Sequence, residues 1–339
     1  MSMSHIGRRK AILTTGAFAA LNAVGSLASP ALAQGKAAAA TWPQRAVRVI
    51  VPNGPGASSD QLARVLSMKL GEAVGQQFIV DNRPGAGGII GMEITARAVP
   101  DGYTLMATST ANHVIAPQLH RKLGFDIFKD FEPIMLYGTT QNVLVVHPSM
   151  PVKTAQELIA LLRANPGKYN MASAGSGAQS HLAGVQLMLA ARTEATHVPY
   201  KGGGASVGAV VANESQFTFT PIAATIPFIR SGQLRALATA GTARSTQLPD
   251  LPTLGEGALP GFQSTGWVGM MTPRGTPKAV NERLYSLMMQ VMKQPDTREL
   301  IVRAGADPVT STPEEFGKFI RSEFESFRAA VKAAKLVAE

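Results

Sequence analysis

Apolar positions along the chain fall into two alternating spacings. VRVIVP (47–52) and QFIV (77–80) are short β-branched or aromatic runs of the kind that form buried strands. Each is followed by a small-residue turn and then by a segment of helical period. In QLARVLSMKLGEAVG (61–75), Leu62, Val65, Leu66 and Leu70 keep helical spacing, and Gly75 fits a C-terminal stop. Asp60 is the expected N-cap of that helix. GMEITARA (91–98) reads as a helix, and PDGYTLMAT (100–108) as a turn, with Asp101 in it, leading into a third strand. This alternation predicts a parallel, layered α/β unit.

From about residue 132 the pattern changes. PIMLYGTTQNVLVVHP (133–148) reads as one long extended passage with a break near Gly138. TAQELIALLRANP (154–166) is a helix with Thr154 as N-cap and Glu157 three residues on, the signature of a capping box. Residues 168–191 and 195–213 each repeat strand, Gly/Ser loop and helix, and QFTFTPI and LRALATA add strands. STGWVGMMTP (264–273) is again extended, and helices are predicted over 277–293, 296–305 and 312–335. The expected architecture is two lobes, 42–140 with 262–339 and 141–261, joined by two crossing strands near 136–146 and 264–271.

The first residues read differently. Arg8, Arg9 and Lys10 precede an uncharged stretch, and ALA (31–33) has the form of a signal-peptidase site. Residues 1–33 are therefore expected to be a cleavable export signal. A membrane anchor is the rival, disfavoured by the weak hydrophobicity of a stretch rich in Ala, Gly, Thr and Ser. The paired arginines followed by Ile12-Leu13 leave the Sec and twin-arginine routes both open. QGKAAAA then opens a spacer (34–41). A periplasmic location follows. The chain holds 32 Lys and Arg against 22 Asp and Glu, but the basic residues are scattered. A nucleic-acid partner is not expected from that pattern, whereas broad positive charge suits anionic small molecules. With no cysteine, neither a disulfide framework nor a thiolate metal site can form.

Four loops share one design: 53–60, 84–91, 173–180 and 200–206. Each follows a strand, precedes a helix and is rich in Gly, Ala and Ser. Helix starts carry free N–H groups and partial positive charge, so an anion can sit on such a loop. The glycines of 85–91 are read here as baring backbone donors. Tight chain reversal alone also selects glycine, but four such loops, two in each expected lobe, favour a carboxylate held between opposed helix starts. The histidines lack metal-ligand spacing, and neither a nucleophile elbow nor a phosphate-binding P-loop is present. No metal, cofactor or catalytic residue is expected. Ser180 and His181 adjoin but point apart on a helix. The enzyme alternative is an exported NAD-type oxidoreductase: VIVPNGPGASSD approximates G-x-G-x-x-G, and Asp81 stands where a ribose-binding acid would. Ser59 in place of the third glycine and Pro55 in the loop weaken it.

VPNGPGASSDQLAR, VDNRPGAGGIIG, AVPDGYTL, KDFEPI, HLAG, THVPYKGG, LPDLPTLGEGALPGF and GWVGMMTPRGTP occur in this order. Over about 42–328 the chain resembles the Bordetella uptake gene (Bug) family, the substrate-binding components of tripartite tricarboxylate transporters. The resemblance implies a type II periplasmic-binding-protein fold, the two-lobed Venus flytrap with two hinge strands. It also implies a monomeric receptor for a small organic acid or related metabolite, with transporter membrane subunits as partners. By position, the ligand would be met in the first lobe by Asn53, Gly54, Gly56, Ala57, Ser58 and Ser59, by Gly85, Ala86, Gly87 and Gly88, and by Thr108 and Ser109. In the second lobe it would be met by Ser173, Gly175, Ser176, Gly177, His181, Lys201, Gly202 and Thr220. The family commonly has an aromatic residue at the position of Asn53, a second glycine at Ala57 and an acid near Thr220-Pro221. These departures fall at the pocket and point to changed specificity, or to a sensor or partner-binding protein with a degenerate pocket.

Overall fold

The computed structural model describes residues 41–336. The export signal expected over 1–33, and the spacer up to residue 40, lie outside the described residues.

The chain opens with β1 (Val47–Val51), α1 (Ser58–Val74), β2 (Phe78–Asn82), α2 (Ile89–Ala96) and β3 (Thr104–Ser109). β1 lies between β2 and β3, parallel to both. Leu62, Ala63, Leu66 and Leu70 of α1 are buried, and Gly75 ends the helix in the left-handed region with its N–H on the Gly71 carbonyl. α1 begins three residues before the expected start. Its N-cap is Ala57, and Asp60 lies inside the first turn. The small residues Ser58 and Ser59 tolerate the helix, so the turn closes before the aspartate instead of on it.

β4 (Phe131–Val146) is a single strand. Its first part pairs antiparallel with β9 (Thr265–Pro273) as far as Gln141, and from Asn142 onward it pairs with β7 (Phe217–Pro221). Register shifts flank Met135 and Leu136–Gly138, so the expected break is a pair of bulges inside a continuous strand. Beyond it lie α3 (Ala155–Ala164), β5 (Asn170–Ser173), α4 (Gln179–Ala191), β6 (Thr196–Pro199), α5 (Gly203–Val211), α6 (Ile222–Arg230) and β8 (Arg235–Thr239). The strand order is β2-β1-β3-β9-β4-β7-β5-β6, with β8 also on β4. At α3 only half of the capping box forms. Thr154 accepts from the Glu157 N–H, but the Glu157 carboxylate takes the Lys153 N–H instead.

The chain returns to the first half of the sheet through β9 and finishes with α7 (Lys278–Met292), α8 (Pro295–Arg303), β10 (Asp307–Pro308) and α9 (Pro313–Ala333). α1, α7 and α8 pack on one face of the first half around Leu66, Leu284 and Ile301. α9 covers the other face and also touches the second half. Its Phe316, Ile320 and Phe327 share a core with Leu182 and Val185 of α4. Gln186 of α4 is tied on both sides, to Ser326 at 2.8 Å and to Ser264 at 2.6 Å. Behind the crossing strands, Asp307 of β10 accepts from Gln141, from Ser245 and from both the N–H and hydroxyl of Thr246. The two halves of the sheet are thus joined by continuous strands, a shared helix seam and one buried carboxylate.

Candidate functional site

The loop after β1 leads into α1 through Ala57, which is extended and has no side chain able to accept a hydrogen bond. The first-turn amides of α1 are therefore left without a side-chain cap. Asp60 does not compete for the space beyond them. Its carboxylate turns back to accept from the Gly56 N–H at 2.9 Å, from Arg64 and from Asn82. Burial pushes the Asp60 carboxyl up, but these hydrogen bonds outweigh it and hold the group below its ordinary range.

A cavity of about 240 Å³ opens at that helix start. Asn53, Ala57, Ser58 and Ser59 form one wall, with Ser109, Thr110 and Ala111 beside them. Thr140, Gly266, Trp267 and Val268 of the crossing strands form the floor, and Gln179, the first residue of α4, closes the wall from the second half. Among the described residues no Arg, Lys, Asp or Glu lines it. The Gln179 Nε2 is buried and has no hydrogen-bond partner. Gly266 is required by close packing: a Cβ there would lie 2.2 Å from the Thr140 hydroxyl and 3.1–3.2 Å from the Gln179 amide.

Asn112 organises the first wall. Its Oδ1 accepts from Asn53 Nδ2 and from the Ser109 hydroxyl, each at 2.7 Å, while its Nδ2 donates to the Gly87 carbonyl at 2.8 Å. Asn53 also donates to Ser59 at 2.7 Å. Three loops are thereby fixed by one buried side chain. The loop at Gly85–Gly88 is not the simple set of bared donors expected of it. The Gly88 N–H is taken by the Gly85 carbonyl at 2.8 Å. Gly88 has φ 104°, and a Cβ on it would come within 2.3 Å of the Asn112 amide. The glycine there serves backbone conformation and close approach.

Of the residues marked from sequence, Asn53, Ala57, Ser58, Ser59 and Ser109 line the cavity. Gly54 and Gly56 lie in the loop before α1 but not in the cavity lining, nor do Gly85, Ala86, Gly87 and Gly88, of which Gly87 and Gly88 pack against Asn112. Thr108 and Thr220 are buried within β3 and β7, their hydroxyls without partners. In the second half, Ser173, Gly175, Ser176 and Gly177 form the turn that leads into Gln179. Ala174 N–H donates to Ser180, and Gly177 N–H to His181 Nδ1 at 3.1 Å, so Ser180 and His181 serve the turn separately. Gly202 N–H donates to the Ala174 carbonyl, and Lys201 is exposed. Asp81 is engaged by Arg48 at 2.7 Å and by Arg83, so it is not free for a ribose.

Asn112, Thr140, Gln179 and Gly266 escaped the sequence reading. Asn112 sits in a π turn (Thr110–Ile115), whose spacing matches neither a helix nor a strand. The other three belong to elements that were foreseen but whose convergence depends on how the two halves meet. A larger surface cavity of about 680 Å³ lies between Leu234 and Leu251, with Arg235, Gln247 and Asp250 among its lining; the Arg235 guanidinium donates to the Met150 and Val152 carbonyls. Among the described residues no group of His, Asp or Glu could hold a metal ion.

Residues 62–336 match the model of the tripartite tricarboxylate transporter family receptor. The protein BugT of Bordetella pertussis is 34% identical over 297 residues, covering 86% of this chain and 90% of that protein. Among solved structures, R. palustris Rpa4515 with adipate is 28% identical with a TM-score of 0.70, over 87% of this chain and 98% of that one. MatC from Rhodopseudomonas palustris with bound malate is 29% identical with a TM-score of 0.67, over 86% and 100% of the two chains. Fold, cleft and sequence agree: the chain belongs to the tripartite tricarboxylate transporter receptor family of periplasmic solute-binding proteins.

Proposed function

We propose that this receptor captures a small dicarboxylate in the cavity between α1 and Gln179. The observation that carries the reading is the wall itself: uncapped first-turn amides on one side, a buried amide N–H without a partner on the other, and no charged side chain between. A carboxylate gains there from the helix-start N–H groups and their partial positive charge, without an arginine clamp. Ser59 and Ser109 add hydroxyls at the same wall, and Gln179 would meet the far end of the ligand. The relatives with adipate and malate support a short dicarboxylate as the ligand class. The cavity volume suits molecules of that size.

In this reading 42–140 with 262–339 and 141–261 act as the two lobes, and the ligand favours their closed arrangement because each contributes to its contacts. The mature chain is a periplasmic monomer, exported by its N-terminal signal, that delivers the ligand to membrane subunits without a chemical step. A thermal-shift screen of malate, succinate, adipate, citrate, amino acids and aromatic acids tests the ligand class. A ligand that binds the folded state raises its stability. Dicarboxylates are expected to raise the melting temperature most, and a shift confined to amino acids or aromatic acids would overturn the assignment.

A further inference from the structure

Two imidazoles lie just behind the turn that carries Gln179 and take no part in the cavity wall. The rings of His181 and His197 are stacked, 3.7 Å between centroids and 7° from parallel. Each holds one part of the 173–178 turn. His181 Nδ1 accepts the Gly177 N–H at 3.1 Å, which places the ring's proton on Nε2. His197 Nε2 is hydrogen-bonded to the Ser173 hydroxyl at 2.6 Å, and that hydroxyl also accepts the Gly175 N–H. On its outer side the same turn abuts the first half, where a Cβ on Gly177 would meet Leu119 at 3.2 Å.

At His181 the arrangement depends on a neutral ring, whereas the Ser173 hydroxyl, which also donates to the Gly175 carbonyl at 3.1 Å, leaves His197 Nε2 as its donor. A proton on His181 Nδ1 replaces an acceptor with a donor facing the Gly177 N–H, and it stacks a charge against the second ring. α9, which packs against α4, carries Glu314, Glu315, Lys318, Arg321, Glu323, Glu325, Arg328 and Lys332, Lys335 follows it, and Lys201 follows β6. Among the described residues none of them forms an ion pair with either imidazole, so no carboxylate stands by to accommodate the added charge. Burial, then the neighbouring His197, pushes the His181 pKa down to about 4, and burial lowers that of His197.

We propose that His181 and His197 are positioning residues that form a proton-sensitive latch: while neutral they hold the 173–178 turn, and with it Gln179, in ligand-binding shape, and protonation releases it. This rests on the cavity being the ligand site, but the latch can be tested without a ligand.

The experiment is an amide NMR pH titration of the full chain without ligand, from about pH 7 to about pH 4, on wild type, His181→Asn and His197→Gln. Asn offers an acceptor near the Nδ1 position and does not titrate. Gln offers a hydrogen-bonding group near Nε2. In the wild type the Gly177 amide should shift along the same curve as the His181 ring. In His181→Asn the Gly177 amide should hold still. His197→Gln should leave the Gly177 shift in place while altering its midpoint. Adipate binding, measured in parallel, should weaken about twofold more in wild type than in His181→Asn between those pH values, because a group with a pKa near 4 is half protonated at the lower end, and protonation of adipate itself affects both proteins alike. A Gly177 amide that stays still while His181 titrates, or that moves equally in His181→Asn, overturns the latch. If adipate binds neither protein at pH 7, the ligand assignment fails, and the amide titration alone decides the latch. If His181→Asn does not fold, the wild-type and His197→Gln titrations decide it on the same criterion.

Discussion

The carboxamides of Asn53 and Asn112 face each other across the first wall of the cleft, with Asn53 Nδ2 2.7 Å from Asn112 Oδ1 and Asn112 Nδ2 3.2 Å from Asn53 Oδ1. This reciprocal pair occupies the position where the resemblance implies an aromatic ring. A dicarboxylate bound as proposed would meet hydrogen-bonding groups at this wall. Asn112→Ala should leave the Ser109 hydroxyl, the Gly87 carbonyl and Asn53 without their partner. A loss of about 2–3 kcal/mol is expected in urea unfolding, together with loss of dicarboxylate binding in the fraction that stays folded.

Gly266→Ala probes the floor of the cavity. The added methyl would collide with the Thr140 hydroxyl and crowd the Gln179 amide. Gly266 lies in β9, where it needs no left-handed backbone, so the strand itself tolerates alanine. Binding measured by calorimetry should fall at least tenfold, and the melting temperature should fall as well, by the equivalent of about 1–3 kcal/mol, since the short Thr140 side chain has little freedom to move aside.

Glu323 of α9 is almost fully buried, and burial pushes its pKa up to about 8, partly offset by the neighbouring Trp267 indole. The folded state therefore keeps a proton that the unfolded chain releases near pH 4.5. Its contribution to stability is present below that value and is lost as pH rises toward 8, on the order of 3 kcal/mol by pH 7. Glu323→Gln keeps the shape and removes the titration. It should raise the melting temperature at pH 8 clearly more than at pH 5.

Histidines act in the opposite direction. His113, fully buried with Nε2 on the Ile127 carbonyl at 3.0 Å, has its pKa pushed down to about 4 by burial, as His181 does. A group kept neutral in the fold contributes stability above its unfolded pKa of about 6.5, and that stability is lost as pH falls toward 4. Melting temperatures should drop across this interval, with a loss of stability on the order of 3 kcal/mol for the fully buried His113 and less for His181, whose ring is only partly shielded and is coupled to His197. His181→Asn should flatten part of the slope.

Much of the fold could be read in the chain because its strands are short apolar runs and its helices keep a clear period. Leu62, Leu66 and Leu70 fixed the buried face of α1, and the Gly138 break emerged as bulges in β4. The start of α1 was misplaced because Ser58 and Ser59 suit a cap and a first turn equally well. The first wall was legible in Asn53, Ser58 and Ser59, since a Gly/Ser loop after a strand marks a helix start. Gln179 was not, because a lone polar residue at the head of a helix looks like any solvated position until the other half of the protein folds against it. Asn112 was hidden by the irregular turns around it.

The most direct test is the amide NMR spectrum of the full chain titrated with malate and with adipate. The backbone amides of Ser58, Ser59 and Ser109 and the side-chain amide of Gln179 should shift most, all with one binding curve. Shifts clustered around Leu234 and Leu251 on the outer cavity, or a first wall that moves while Gln179 stays still, would contradict a ligand gripped between the two halves.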